Sequence, residues 1–185
     1  MPSLRPGELP LLQSSLAPVA GEGQMTWQQV CADPTLQDLP FKIELNKYGK
    51  IEMSPARNWC AIYQADLITF LKARLGGRAA PELAVTTSEG QRVPDVSWAL
   101  QPYWQAHFDE SSASAAPPLC IEIVSASNSF DEMRIKIDAY LGAGALEVWL
   151  VGKDRSVRFF AAGGEIDASN FGAITKEEVA AALQS

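Results

Sequence analysis

At 185 residues the chain is long enough for one domain with a sizeable core, and its 47% hydrophobic and 20% charged residues are those of an ordinary globular protein. No run of eighteen apolar residues occurs, and no basic start precedes an apolar stretch, so neither a membrane span nor a secretory signal is expected. The net charge of −7 argues against a globally basic nucleic-acid binder, but eight basic residues face five acidic ones between positions 41 and 93, which allows a local basic surface.

Residues 1–23 are rich in Pro, Gly and Ser without periodicity and read as a flexible arm, leaving 24–185 as a single domain. Thr26-Trp27-Gln28-Gln29 has capping-box spacing and opens a short helix that ends near Pro34. Strands over 41–46 and 49–53 follow, joined at Lys47-Tyr48-Gly49, with Ser54-Pro55 breaking the second. A helix over 57–75 carries Cys60, Gln64, Leu67 and Leu71 on one stripe, flanked by Ile68 and Leu75, and stops at Gly76-Gly77. Strands over 83–88 and 92–99 flank a turn at Ser88-Glu89-Gly90-Gln91, and 109–118 is a low-complexity loop.

Residues 119–124 are apolar on both faces, apart from one glutamate, as in a central strand. A helix over 130–142 ends at Gly142-Ala143-Gly144. Strands 146–151 and 156–161 form a hairpin, and Thr175 caps a last helix. The order α-β-β-α-β-β-β-α-β-β-α predicts an α/β domain, a mixed sheet with helices on its faces. Two-fold pairing over the apolar stretch 146–160 would make a homodimer. Cys31, Cys60 and Cys120 lack metal-type spacing and read as reduced interior thiols of a cytoplasmic protein. His107, beside the polar loop, reads as exposed, and with one histidine in the chain a His-based metal cluster is excluded.

Carboxylates interrupt three apolar, strand-like runs: Glu44, Asp95 and Glu122. Burying such a group is costly without a partner or a metal. Glu122 and Val124 point the same way from their strand, with the Ile123 carbonyl between them. If the Asp95 strand pairs alongside, Asp95, Glu122 and the Ile123 carbonyl converge as oxygen ligands suited to Mg2+ or Mn2+. Lys136, on the following helix, could position an attacking water or stabilise a pentacovalent phosphate. Tyr140, four residues on, either supports Lys136 or packs. Glu44 is a further ligand or holds water, and Gln64 faces the same pocket. Taken singly, each position also has an ordinary reading: a salt-bridged strand carboxylate, a solvated lysine, a satisfied interior amide.

Together these segments resemble the Uma-two family of restriction-endonuclease-like proteins, within the PD-(D/E)xK nuclease superfamily, from Met25 to about Phe160. Phe41-Lys42-Ile43-Glu44-Leu45 is similar to its Tyr-Glu-Leu segment, and Lys50-Ile51-Glu52-Met53-Ser54-Pro55 to its Glu-Met-Ser-Pro turn. Val93-Pro94-Asp95-Val96 resembles its Pro-Asp-Val, and Cys120 to Ser127 its acidic strand block. Lys136 to Gly144 resembles its Lys…Tyr-Leu-x-Ala-Gly helix end, and Val148-Trp149-Leu150-Val151 its next strand. The resemblance implies a restriction-endonuclease-like core, Mg2+-dependent hydrolysis of DNA, metal binding by Asp95 and Glu122, and Glu44 as an additional acidic member. Val124 stands where a lysine is usual in the superfamily, and the resemblance implies that Lys136 replaces it. The alternatives are a catalytically inactive nuclease-fold module that binds nucleic acid or protein, and an acidic assembly module.

Overall fold

The computed structural model describes residues 25–125 and 128–183; the arm expected over 1–23 lies outside them. Helix α1 (Trp27–Ala32) starts with the expected reciprocal cap between Thr26 and Gln29. Strands β1 (Phe41–Asn46) and β2 (Ile51–Pro55) form an antiparallel hairpin, with Glu44 opposite Glu52. Ser54-Pro55 does not break β2 but completes it. Proline is tolerated there because β2 lies at a sheet edge.

Helix α2 (Asn58–Leu75) buries Tyr63, Leu67 and Leu71, a stripe of period four. Leu67 and Leu71 are buried as expected, while Tyr63 extends the stripe in place of Cys60 and Gln64, which lie with Ile68 on the half-buried flank. Four short strands follow: β3 (Arg78–Pro81), β4 (Val85–Thr87), β5 (Gly90–Arg92) and β6 (Val96–Ala99). The expected strand over 92–99 is thus two strands. Pro94, which has no N–H for a ladder, falls at the break. Beyond it come helix α3 (Gln101–Ala106), strand β7 (Leu119–Val124) and helix α4 (Phe130–Gly142), which is capped by Ser129 and Glu132. Strands β8 (Glu147–Gly152), β9 (Val157–Ala161) and β10 (Gly164–Ile166) and helix α5 (Lys176–Ala182) complete the chain.

The larger sheet is the mixed, helix-flanked sheet expected, and the break at Pro94 marks the crossing to it from a second, smaller sheet. The smaller has the order β2-β1-β5-β4, the larger β10-β9-β8-β7-β6-β3. In the larger sheet β7 and β8 are parallel, joined across α4, and the remaining pairs are antiparallel.

Side-chain alternation assigns each face of this sheet to one core. Leu119, Ile121 and Ile123 of β7 pack with Val96, Trp149 and Phe159 against Leu67, Leu71, Val179 and Leu183. Cys120 of β7 packs with Val148 and Leu150 against Met133, Ile137 and Tyr140 of α4. Helices α2 and α5 therefore cover one face and α4 the other. Residues 148–151 and 157–160 are occupied by these cores; all are buried except partly exposed Arg158, while Leu146 just outside is 62% exposed. Apart from Leu146, little apolar surface is left there for a second copy to cover. Of the cysteines only Cys120 is buried; Cys31 is exposed, contrary to expectation. His107 is also not free on the surface: its side chain is 15% exposed, pairs with Glu110 and lies against the Tyr103 ring.

Candidate active site

The segment 92–96 passes from the small sheet to the large one, and the site forms where they meet. Glu44, on β1, reaches across the junction and accepts the Val93 N–H at 2.8 Å. Asp95 directly precedes β6, whose Val96 pairs with Ile121 of β7. This register brings Asp95 beside Glu122 on the α4 side of the sheet. Asp95 Oδ2 accepts the Ile123 N–H at 2.6 Å, which fixes the carboxylate to β7 and leaves Oδ1 directed elsewhere. Both carboxylates are nearly closed off, with relative exposures of 8% for Asp95 and 3% for Glu122.

Two lysines enter this acidic centre. Lys136 Nζ, from α4, lies 3.0 and 2.9 Å from the two Glu44 oxygens and 3.1 Å from Glu122 Oε1. The Tyr140 hydroxyl, one helical turn later and fully buried, donates to the same Glu122 oxygen at 2.7 Å. Tyr140 therefore supports the glutamate, not Lys136 directly. Lys42 Nζ lies 2.7 Å from Asp95 Oδ1 and 3.5 Å from Glu122 Oε2. Arg92 completes the cluster, hydrogen-bonded to Glu52 and 3.7 Å from Glu44 Oε2.

Lys42 and Arg92 were not among the expected site residues. Strand alternation could have found Lys42, because residues 42 and 44 of one strand share a face. Arg92 gave no comparable signal, since its role depends on the turn out of β5.

Electrostatics separates the two central carboxyls. Burial pushes Glu122 up, but the ammonium groups of Lys136 and Lys42 and the Tyr140 hydrogen bond outweigh it and hold the group below the usual glutamate value. For Asp95 burial prevails, helped by the Glu122 charge, and its carboxyl titrates above the usual aspartate value despite Lys42. Burial works against the Lys42 ammonium, yet the charges of Glu122, Asp95 and Glu44 raise its pKa. Burial and the neighbouring carboxylates also keep Tyr140 protonated, as its donor role requires.

A cleft of about 280 Å³ opens onto the cluster. It brings together the expected residues Asp95, Glu122, Ile123, Lys136 and Gln64, with Lys42, Cys60 and Arg57 also on its walls. Glu44 and Tyr140 lie behind it and reach the cleft through Lys136 and Glu122. Among the described residues no group of three His, Cys, Asp or Glu side chains is arranged to hold a metal. The cation-facing protein charge is thus a pair, Asp95 and Glu122. Their Oδ1 and Oε2 atoms converge on one cationic point, filled by the Lys42 ammonium. Carboxylate oxygens meeting at such a point are the donors that Mg2+ and Mn2+ prefer, with water completing the shell. Glu44 is turned away from this point by its bonds to Lys136, Val93 and Arg92.

The model of the Uma2 family, described as "Putative restriction endonuclease", matches residues 33–179. Among solved structures the fold is similar to "a putative nuclease belonging to DUF820" from Anabaena variabilis, with a TM-score of 0.67 and 18% identity. That match covers 86% of this chain and 99% of the other. No curated protein matches the sequence.

Proposed function

This chain belongs to the Uma2 family, and from that premise we propose that it hydrolyses phosphodiester bonds of DNA with Mg2+ or Mn2+ as cofactor. The observation that carries this reading is the convergence of Asp95 and Glu122 on one cationic point at the base of an open cleft, with a second ammonium, that of Lys136, beside them. Asp95, Glu122 and the Ile123 carbonyl would hold the divalent cation, which would supply neutralisation of phosphate charge and acidification of water.

The remaining steps belong to the chain itself. Glu44 anchors Lys136 through both carboxylate oxygens and is a positioning residue. Tyr140 acts likewise on Glu122. Lys136, held between Glu44 and Glu122, orients water for attack and stabilises the negative charge that builds on the phosphoryl oxygens. The water oxygen bonds to phosphorus as the bond to the sugar oxygen breaks; the water proton leaves to solvent and the departing oxygen is protonated from solvent. Gln64, on the cleft wall, contacts the substrate.

Pairing of Asp95 and Glu122 with Lys42 and Lys136 inside the protein favours a second reading, a nuclease-fold module that binds nucleic acid or protein without cutting it. Incubation of plasmid and linear DNA with the purified protein and Mg2+ or Mn2+ separates the two. Cleavage is expected in wild type, with a loss on the order of a hundredfold or more in Asp95→Asn and Lys136→Met at unchanged circular dichroism. Intact DNA with both metals would reject hydrolysis, while retained DNA binding would leave the second reading standing.

A further inference from the structure

Lys42 occupies the point where the two carboxylates of the proposed metal site converge. Its side chain is 12% exposed, and its ammonium lies 2.7 Å from Asp95 Oδ1 and 3.5 Å from Glu122 Oε2. These are the oxygens left facing the cleft once Asp95 Oδ2 has bonded to the Ile123 N–H and Glu122 Oε1 to Lys136 and Tyr140. The two lysines are therefore not equivalent. Lys136 is held by Glu44 as well as Glu122, and it keeps a partner if Glu122 turns to a metal. Among the described residues the Lys42 side chain hydrogen-bonds to the pair itself and to no other group.

We propose that Lys42 is a resident counter-cation of the Asp95–Glu122 pair, and that a divalent cation enters only by displacing its ammonium into the cleft. An ammonium and a metal ion cannot share one position about 3 Å from the same oxygens, since two like charges would be in contact. Lys42 has room to move. The cleft is open at Leu39, Pro40, Phe41, Ser54 and Pro55, and a flexible four-carbon stem carries the charge. Lys42 thereby sets the metal affinity of the site. The competent form is the one in which Lys42 has left, and its fractional population multiplies the intrinsic affinity, lowering it by that fraction.

This inference rests on the metal-dependent reading, and its test uses the whole chain. Isothermal titration with Mn2+ compares wild type with Lys42→Met, and with Lys72→Met on the exposed flank of α2 as control. If the displaced form is a minor state of roughly a tenth or less, Lys42→Met binds Mn2+ about tenfold more tightly or better, and Lys72→Met binds like wild type. The second measurement needs no variant. Lysines of wild type are acetylated with a succinimidyl ester, with and without saturating Mg2+, and read by peptide mass spectrometry. Lys42 is expected to be protected without metal and to label several-fold faster with it, while Lys72 is unchanged.

Equal Mn2+ affinity in a folded Lys42→Met, or Lys42 labelling unchanged at saturating Mg2+, overturns the displacement and leaves the metal site standing. Absence of Mn2+ binding in both wild type and Lys42→Met overturns the metal reading together with this one. If Lys42→Met does not fold, the labelling of wild type decides alone.

Discussion

A carboxylate within an apolar strand is informative because it cannot stay there unpaired. Tyr140 illustrates the cost of keeping one. Its hydroxyl is one of two donors to Glu122 Oε1, and both side chains are buried. Removing a donor leaves a buried acceptor with less than its full complement. Tyr140→Phe is therefore expected to fold but to lose about 1–3 kcal/mol, read as a lower urea midpoint at unchanged slope. A midpoint equal to that of wild type would remove Tyr140 from the support of Glu122. Glu44, Asp95, Glu122 and Gln64 stand out in sequence because each is a polar group in an apolar run or stripe, and Lys136 because it follows the Glu122 strand on a helix expected to pack back onto the sheet; Asp95, Glu122, Lys136 and Gln64 line one cleft, with Glu44 behind it. Sequence did not reveal that Glu44 holds Lys136 through both carboxylate oxygens. That depends on the distance across two sheets, to which strand alternation is blind. Alternation puts Lys42 on the Glu44 face of β1, but a lysine next to a strand start reads as solvated until its partners are known.

Elements with a strong period or a cap were readable from sequence. Helix α4 spans the expected 130–142, and β1 and β7 have their expected limits. Strand β3 was missed because Arg78-Ala79-Ala80-Pro81 carries almost no strand preference. It exists as an edge strand because β6 offers it a partner. The two-sheet division is not legible in sequence because Val93-Pro94-Asp95 continues the strand-like run on both sides of it. The junction depends on Gly90 at the start of β5. Its φ of 99° is unfavourable for other residues, and a Cβ there would lie 2.1 Å from the Leu45 carbonyl oxygen. Leu45 and Asn46 pair with Gln91 and Gly90, so backbone displaced at this point shifts the strand that carries Glu44. Gly90→Ala is expected to cost more than about 2 kcal/mol. Hydrogen exchange should accelerate in β1 and β5 and change little in β7 and β8. Uniform acceleration through both sheets would show that the small sheet is not a separable support of the site.

At the scale of the molecule, acidic and basic groups compensate each other at the site more completely than over the surface. The chain carries −7 overall, yet Glu44, Asp95, Glu122 and Glu52 are matched locally by Lys42, Lys136 and Arg92. This balance sets the response to acid. Burial pushes Glu122 and Glu52 up, but the paired cations and hydrogen bonds hold both below the usual glutamate value. For such groups the unfolded chain binds protons first as pH falls. Their stabilisation is complete above the unfolded value, near 4.3, and is lost as pH drops through the depressed folded values. Asp95, raised by burial, acts oppositely: between its unfolded value, near 3.9, and its higher folded value, the folded state takes up the proton first, and stability gains slightly on acidification. The pH profile should therefore be flat or rise slightly from neutrality down to about pH 5 and fall below about pH 4. Urea midpoints measured from pH 2 to pH 8 check this. Glu122→Gln should flatten the acid limb, since it removes the most deeply buried of the depressed carboxyls. An acid limb of undiminished steepness in that variant would place the acid sensitivity outside the cluster.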